Sequence, residues 1–239
     1  NKATRDTKLT QSLRLITDYL EQRPNDQAAQ IEQLSTLGYL RRYDEAINAA
    51  LAFFEQDGRD PIVAGMTLEI LRYSDDSELQ RSFTRQVMER FGDTASVVYQ
   101  AHRTLLWAGD IDGSSRLLPV IQGSDLPEDT RWLSNLRQAC AERRVNDAEK
   151  LVAEYIARTP LDVADGQFMI CLTSKILGED DAAAAVVREL DDGDDMRELL
   201  DYSFYGSFDA REMPNLMALL ERQGVDDFES RIIPNRCKR

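Results

Sequence analysis

Apolar residues recur along this chain in two helical registers, and both return every 34 residues. Stepping by 34 passes through Ser12, Ala46, Gln80, Ser114, Ala148 and Ala182. Twelve residues past each come Pro24, Gly58, Gly92, Leu126, Pro160 and Asp194, mostly turn formers. Full units therefore start near Gln27, Pro61, Ala95, Asp129 and Val163, with residues 1–26 supplying the second helix of a partial unit. In the first half of a unit, position 8 reads Leu34, Leu68, His102, Leu136, Ile170, and position 11 reads Leu37, Leu71, Leu105, Ala139, Thr173. Three-residue spacing puts the two sets on one helix face. A polar turn follows, as in Arg41-Arg42-Tyr43-Asp44 and Gly109-Asp110-Ile111-Asp112. The second half carries another stripe. Its position 23 reads Leu15, Ala49, Phe83, Leu117, Leu151, Ala185, and its position 27 reads Tyr19, Phe53, Val87, Ile121, Tyr155, Glu189. The mixture of large and small residues suits neighbouring packed helices. One helix pair cannot bury its own apolar face, so a fixed period of this size predicts a stacked array.

At this level of detail the chain resembles tetratricopeptide-repeat arrays. Tyr43, Asp44, Glu45 and Ala46 match the inter-helix turn and the small residue at position 20; Gly109, Asp110 and Ile111 match the turn of the third unit. Trp132 matches the aromatic at position 4, Ala148 the small residue at position 20, and Pro24 and Pro160 the proline near position 32. The departure lies at position 8, small in the family but large in Leu34, Leu68, His102, Leu136 and Ile170. The resemblance implies an all-α, right-handed superhelical α-solenoid of stacked antiparallel helix pairs over residues 1–195.

Residues 196–239 break the period and read as capping helices and a tail. Met196 to Tyr205 forms one expected helix; Asp209 to Gln223 forms another, with Asp209 as cap, Pro214 in its first turns and Gly224 as its stop. Leu216, Leu219 and Leu220 are expected to close the open end of the stack. Residues from Pro234 to Arg239 read as an extended or frayed tail. This end of the chain also resembles the terminal segment of helical-repeat arms on bacterial signalling or transcription-regulatory proteins.

Composition narrows the function. There are 29 basic residues against 43 acidic ones, a formal charge of -14. That opposes non-specific nucleic-acid binding, which needs a basic surface. The apolar runs are too short to cross a bilayer, so a soluble segment is expected, with a cytoplasmic setting favoured over a periplasmic one. The chain opens on Asn1 with no signal sequence and reads as a fragment or a mature product. Cys140, Cys171 and Cys237 fit no zinc or redox spacing; an odd count suggests no disulfide framework, and Cys140 and Cys171 read as small core residues. His102 is the only histidine and lies on an apolar helix side, which points to a core role rather than catalysis or metal binding. The run Asp191-Asp192-Gly193-Asp194-Asp195 lacks the ligand alternation of a calcium loop and reads as a helix stop before an acidic helix start. No phosphate loop and no nucleophile motif is present. The chain is expected to be non-enzymatic and to need no cofactor.

The resemblance also implies where a partner binds. In such arrays the first helix of each unit lines a concave groove through positions 2, 5, 9, 12 and 13. Carried onto this chain, those positions place Tyr39, Tyr73, Tyr99 and Trp107 beside Arg72, Arg103, Arg137 and Lys175, with one acid, Glu69, among them. This basic-aromatic groove runs against the overall charge. Its expected ligand is a peptide or protein partner with acidic groups or a C-terminal carboxylate, read as part of a larger regulatory or signalling protein. The competing expectation is that these side chains pack between units, and the competing function is a self-assembly module forming a homo-oligomer.

Overall fold

The computed structural model describes residues 8–158, 164–192, 210–225 and 233–238. Among the described residues there are twelve α-helices and no strand. They are α1 (Lys8–Gln22), α2 (Gln27–Tyr39), α3 (Tyr43–Asp57), α4 (Pro61–Leu71), α5 (Ser77–Phe91) and α6 (Ala95–Trp107). Then come α7 (Ile111–Gln122), α8 (Glu128–Ala141), α9 (Val145–Ile156), α10 (Ala164–Leu177), α11 (Asp180–Asp192) and, after a 3-10 turn at Ala210–Glu212, α12 (Pro214–Arg222). Each helix packs on the next from α1 to α11, and α11 packs on α12. The first helices of successive units also touch, α2 on α4, α4 on α6, α6 on α8 and α8 on α10. This is a helical-repeat-like architecture built from neighbour contacts.

Local chemistry explains the helix ends. Asp26, Asp60, Asp76 and Asp110 cap α2, α4, α5 and α7 by accepting hydrogen bonds from free backbone amides of the first turn. Between paired helices, Arg41, Gly109, Arg143 and Gly178 each take a positive φ. The next residue's N–H then reaches back to close the helix, as in Arg42 to Leu37 at 2.9 Å, Asp110 to Leu105 at 2.9 Å and Arg144 to Ala139 at 2.8 Å. Arginine holds this left-handed position in two units, at a backbone cost that glycine avoids.

The helical stripes are buried where the period is regular. Leu34, Leu68, His102 and Leu136 are all buried, as are Ala46, Gln80, Ser114 and Ala148. The period slips once. The unit containing α10 and α11 begins at Ala164, and α11 starts 35 residues after α9 rather than 34. Cys171 and Ala183 therefore take the buried places that the strict period assigns to Ile170 and Ala182. A second correction falls at the start. Leu15, assigned to the buried stripe, is 63 % exposed, because Leu13 and Leu20 are the residues that α1 turns inward.

At the far end α12 buries Leu216 and Leu220 fully and Leu219 partly, and its Gln223 side chain accepts a hydrogen bond from the Leu9 amide at 3.3 Å. The end of α12 thus lies beside the start of α1. Asp191 helps to seat it. This carboxylate, 1 % exposed, accepts from the amides of Leu216 at 2.8 Å and Asn215 at 3.2 Å, while the Asn215 side chain donates to the Asp191 carbonyl at 2.9 Å. The acidic run that suggested a helix stop therefore also caps α12 from another helix. Asp191→Ala is expected to destabilise the α12 end by about 1–2 kcal/mol. Hydrogen exchange should show faster exchange confined to α12; unchanged protection there would refute the cap. The expected helix from Met196 to Tyr205, the cap at Asp209 and Pro160 lie outside the described residues.

Two expectations about the C-terminus are overturned. Cys140 and Cys237 form a disulfide, so the odd cysteine count hid one bridge and one free, buried thiol at Cys171. The tail is not frayed over residues 233–238. Cys237 N–H donates to the Ile176 carbonyl at 3.1 Å and Lys238 N–H to the Leu177 carbonyl at 2.8 Å, meeting carbonyls that the end of α10 leaves open. A Cβ at Gly178 would collide with the Lys238 carbonyl, so this close approach requires glycine.

Candidate functional site

The first helices of three successive units bring most of the groove positions expected from the sequence to one cavity of about 200 Å³. From α4 and its last turn come Arg72 and Tyr73; from α6 come Tyr99, Arg103 and Trp107; from α8 come Leu133 and Arg137. Leu172 of α10 and Ile233 of the tail complete the wall. Six of the eight groove residues singled out in the sequence are thus together. Tyr39 is not among them: it sits at the end of α2, partly buried against the core. Lys175 is also elsewhere, its ammonium 3.3 Å from Asp180. The one-residue slip accounts for Lys175. One residue rotates a helix by about 100°, so in the shifted register Leu172 and Ile176 take the places that the strict period gives to Cys171 and Lys175. Ile176 lines a smaller adjoining cavity with Arg103, Leu106, Trp107, Arg137 and Ile233 to Asn235.

Arg72 is held rigidly. It is 3 % exposed, pairs with Glu69 at 3.0 Å and donates to Gln100 Oε1 at 2.6 Å. Gln100 in turn donates to the other Glu69 oxygen at 3.3 Å. Tyr73 is fixed by a parallel stack on Tyr43, with centroids 4.5 Å apart. Across the cavity the Arg103 guanidinium lies 5.5 Å from the Tyr99 ring centre, and Arg137 Nη1 donates to the Tyr99 hydroxyl at 3.2 Å. Among the described residues no carboxylate pairs with Arg137.

This concentration of positive charge shows in the titrating groups. Burial lowers the Arg72 pKa to about 10, with repulsion from Arg103 adding to the effect and Glu69 opposing it. Arg137 is lowered as well, first by burial, with Arg103 adding repulsion. Burial acts to raise the Tyr99 pKa, but Arg103, Arg137, the hydrogen bond from Arg137 and Arg72 together outweigh it and bring the phenol down to about 8. An ultraviolet difference titration should therefore show one tyrosine ionising near pH 8, absent in Tyr99→Phe. Relative to Tyr99→Phe, the folded state gains stability as pH rises from about 8 toward the unfolded phenol pKa of about 10, and loses that gain as pH falls through 8. If every tyrosine titrates near 10, the positive field at the cavity is absent.

His102 lies behind this wall as a structural group. It is fully buried, with Nε2 at 3.1 Å from Gln138 Oε1, which also accepts from Ser114 at 2.9 Å. An acceptor there places the proton on Nε2. Burial, with Arg137 adding, lowers its pKa to about 4 and keeps the ring neutral. Cys171 is likewise quiet, its thiol pushed up to about 12 by burial. Among the described residues no three His, Cys, Asp or Glu side chains cluster as metal ligands, and no helix is long and apolar enough to cross a membrane.

Leu133, Leu172 and Ile233 were not singled out as site residues. Leu133 had a signal, since it occupies position 5 of its unit. Leu172 becomes a groove position only after the slip, and Ile233 arrives through the disulfide, which no repeat register encodes. No protein-family model, no curated protein and no solved structure matches the chain.

Proposed function

We propose that this chain is a non-enzymatic binding module, and that the Arg72–Arg103–Arg137 cavity receives an acidic group of a peptide or protein partner. One observation carries the reading: in an acidic chain, the three arginines Arg72, Arg103 and Arg137 converge on one cavity walled by Tyr73, Tyr99 and Trp107. Arginine forks a carboxylate, and Tyr99 and Trp107 supply rigid contact area around it. The walls, apart from Ile233, come from the stacked first helices of a tetratricopeptide-like array, the face on which such arrays bind peptides. The natural setting of such a module is a larger regulatory or signalling protein.

Fluorescence anisotropy with a fluorescein-labelled acidic dodecapeptide, carrying either a free or an amidated C-terminus, tests the reading. Tighter binding of the free carboxylate, lost on charge reversal in the cavity, supports it. Binding unaffected by both changes refutes it.

A second reading, self-assembly, rests on α1. Leu15 and Tyr19 lie one turn apart and are 63 % and 38 % exposed. Light scattering separates the two: a monomer at all concentrations removes self-assembly.

A further inference from the structure

The cavity is walled on one side by the chain's own C-terminus, and that wall is covalently tied. Ile233 lines the main cavity, and Ile233, Pro234 and Asn235 line the adjoining one against Arg103, Trp107 and Arg137. The Asn235 side chain donates to the Leu106 carbonyl of α6 at 2.7 Å. Four residues past Ile233, Cys237 is bonded to Cys140, one turn beyond Arg137 on α8. The tail thus spans α6, α8 and the end of α10, and its apolar part faces the groove. Its basic part is held by ion pairs: Arg236 pairs with Asp180 at 2.8 Å, and Lys238 with Glu179 at 2.8 Å and Glu149 at 3.0 Å.

We infer that residues 233–238 are a tethered occupant of the groove, latched by Cys140–Cys237, and that reduction by a dithiol of the thioredoxin chemical class opens the groove to its partner. This rests on the binding function proposed above. The ion pairs of Lys238 and Arg236 are solvent-exposed on at least one side and hold weakly. The disulfide, by contrast, keeps the tail at high effective concentration over the groove. Without it, a short segment held by a few hydrogen bonds and these ion pairs competes poorly against a partner that brings its own acidic group.

A reductant thiolate attacks Cys237 Sγ, on the less buried of the two cysteines (6 % exposed against 0 % for Cys140), and expels the Cys140 thiolate. The second reductant thiol then displaces Cys237, and the reductant closes its own disulfide. Two electrons and two protons pass to the chain, leaving Cys140 and Cys237 as thiols. Cys171 does not intercept the exchange, because it is buried and un-ionised.

The test compares the oxidised full chain, the same chain reduced with dithiothreitol, and Cys237→Ser, each checked for retained helicity by circular dichroism. A chain lacking residues 233–239 guards against misfolding of the cysteine variant. Acrylamide quenching of Trp107 reports the opening without any ligand, since Trp132 is only 7 % exposed. Opening should at least double the quenching constant in the reduced, Cys237→Ser and truncated chains. The amides of Cys237 and Lys238 should lose hydrogen-exchange protection at least tenfold on reduction. Equal quenching and equal protection in oxidised and reduced chains overturn the latch. With the acidic dodecapeptide, affinity should rise at least tenfold on opening. Quenching that rises while the peptide binds neither form keeps the latch and rejects the acidic-partner reading; equal peptide binding to both forms rejects the gating.

Discussion

Reversing charge at Arg103 together with Arg137 is expected to weaken binding of the acidic dodecapeptide by at least 100-fold while leaving the helical fold intact. The two residues face one cavity from consecutive units, and each acts electrostatically on Tyr99 between them. Removing one partner of a buried charge pair costs roughly 2–5 kcal/mol, and each 1.4 kcal/mol is about tenfold in affinity. Reversal adds repulsion to that loss. Replacing both with lysine should cost only about tenfold, since the charge remains and the bidentate fork is lost. The wild-type affinity should also fall as pH rises through about 8, because ionised Tyr99 neutralises part of the positive field. Arg103 acts on that phenol from its own helix, Arg137 from α8, and Arg72 from α4, where Glu69 pairs with Arg72. Phenylalanine at position 99 should remove the pH dependence. Unchanged binding by a folded Arg103→Glu/Arg137→Glu chain would show that this cavity is not the partner site.

The second large effect concerns the stack itself. Leu68→Ala is expected to destabilise the chain by about 3–5 kcal/mol, read as a fall in urea midpoint. Leu68 has no exposed surface, and its backbone carbonyl accepts from the Thr104 hydroxyl of α6 at 2.8 Å. Truncation therefore opens a void where one unit meets the next, and the surrounding helices are held by their own contacts and relax only partly. Leu15→Ala makes the matching control. With its side chain 63 % exposed, the change should stay within about 0.5 kcal/mol. Comparable losses from the two variants would mean that the neighbour contacts do not carry the stability.

Tetratricopeptide units keep position 8 small, whereas Leu34, Leu68 and Leu136 fill it here and are buried. Small, fully buried residues share these helices, Ala64 with Leu68 on α4 and Ala139 with Leu136 on α8. In the third unit the same position holds His102, whose polar edge is met by Gln138 of the following unit. The buried His102–Gln138–Ser114 contacts thus join α6, α7 and α8 behind the cavity wall, and tie the backing of the site to the stacking of the units.

Periodicity alone was enough to place most helices, because the burial of an apolar stripe recurs with the repeat and leaves a regular trace in composition. It placed the starts of α2, α4 and α6 on the residues observed, Gln27, Pro61 and Ala95, and those of α8 and α10 within one residue. Combined with the groove positions that the tetratricopeptide resemblance implies, the register of the repeat brought Arg72, Tyr73, Tyr99, Arg103, Trp107 and Arg137 into a single list. Three things needed the tertiary structure. A single extra residue in the α10 unit turned Lys175 toward Asp180 and put Leu172 at the cavity, since helix phase is sensitive to one residue and composition there is too uniform to show it. The Asp191 cap on α12 joins residues 24 and 25 positions apart through geometry that no local pattern encodes. The Cys140–Cys237 bridge crosses 97 residues, a pairing decided by where the chain's end comes to lie. Local burial and propensity repeat along the chain and can be read from it; contacts that close a cavity from distant segments depend on the folded path, and only the three-dimensional structure determines them.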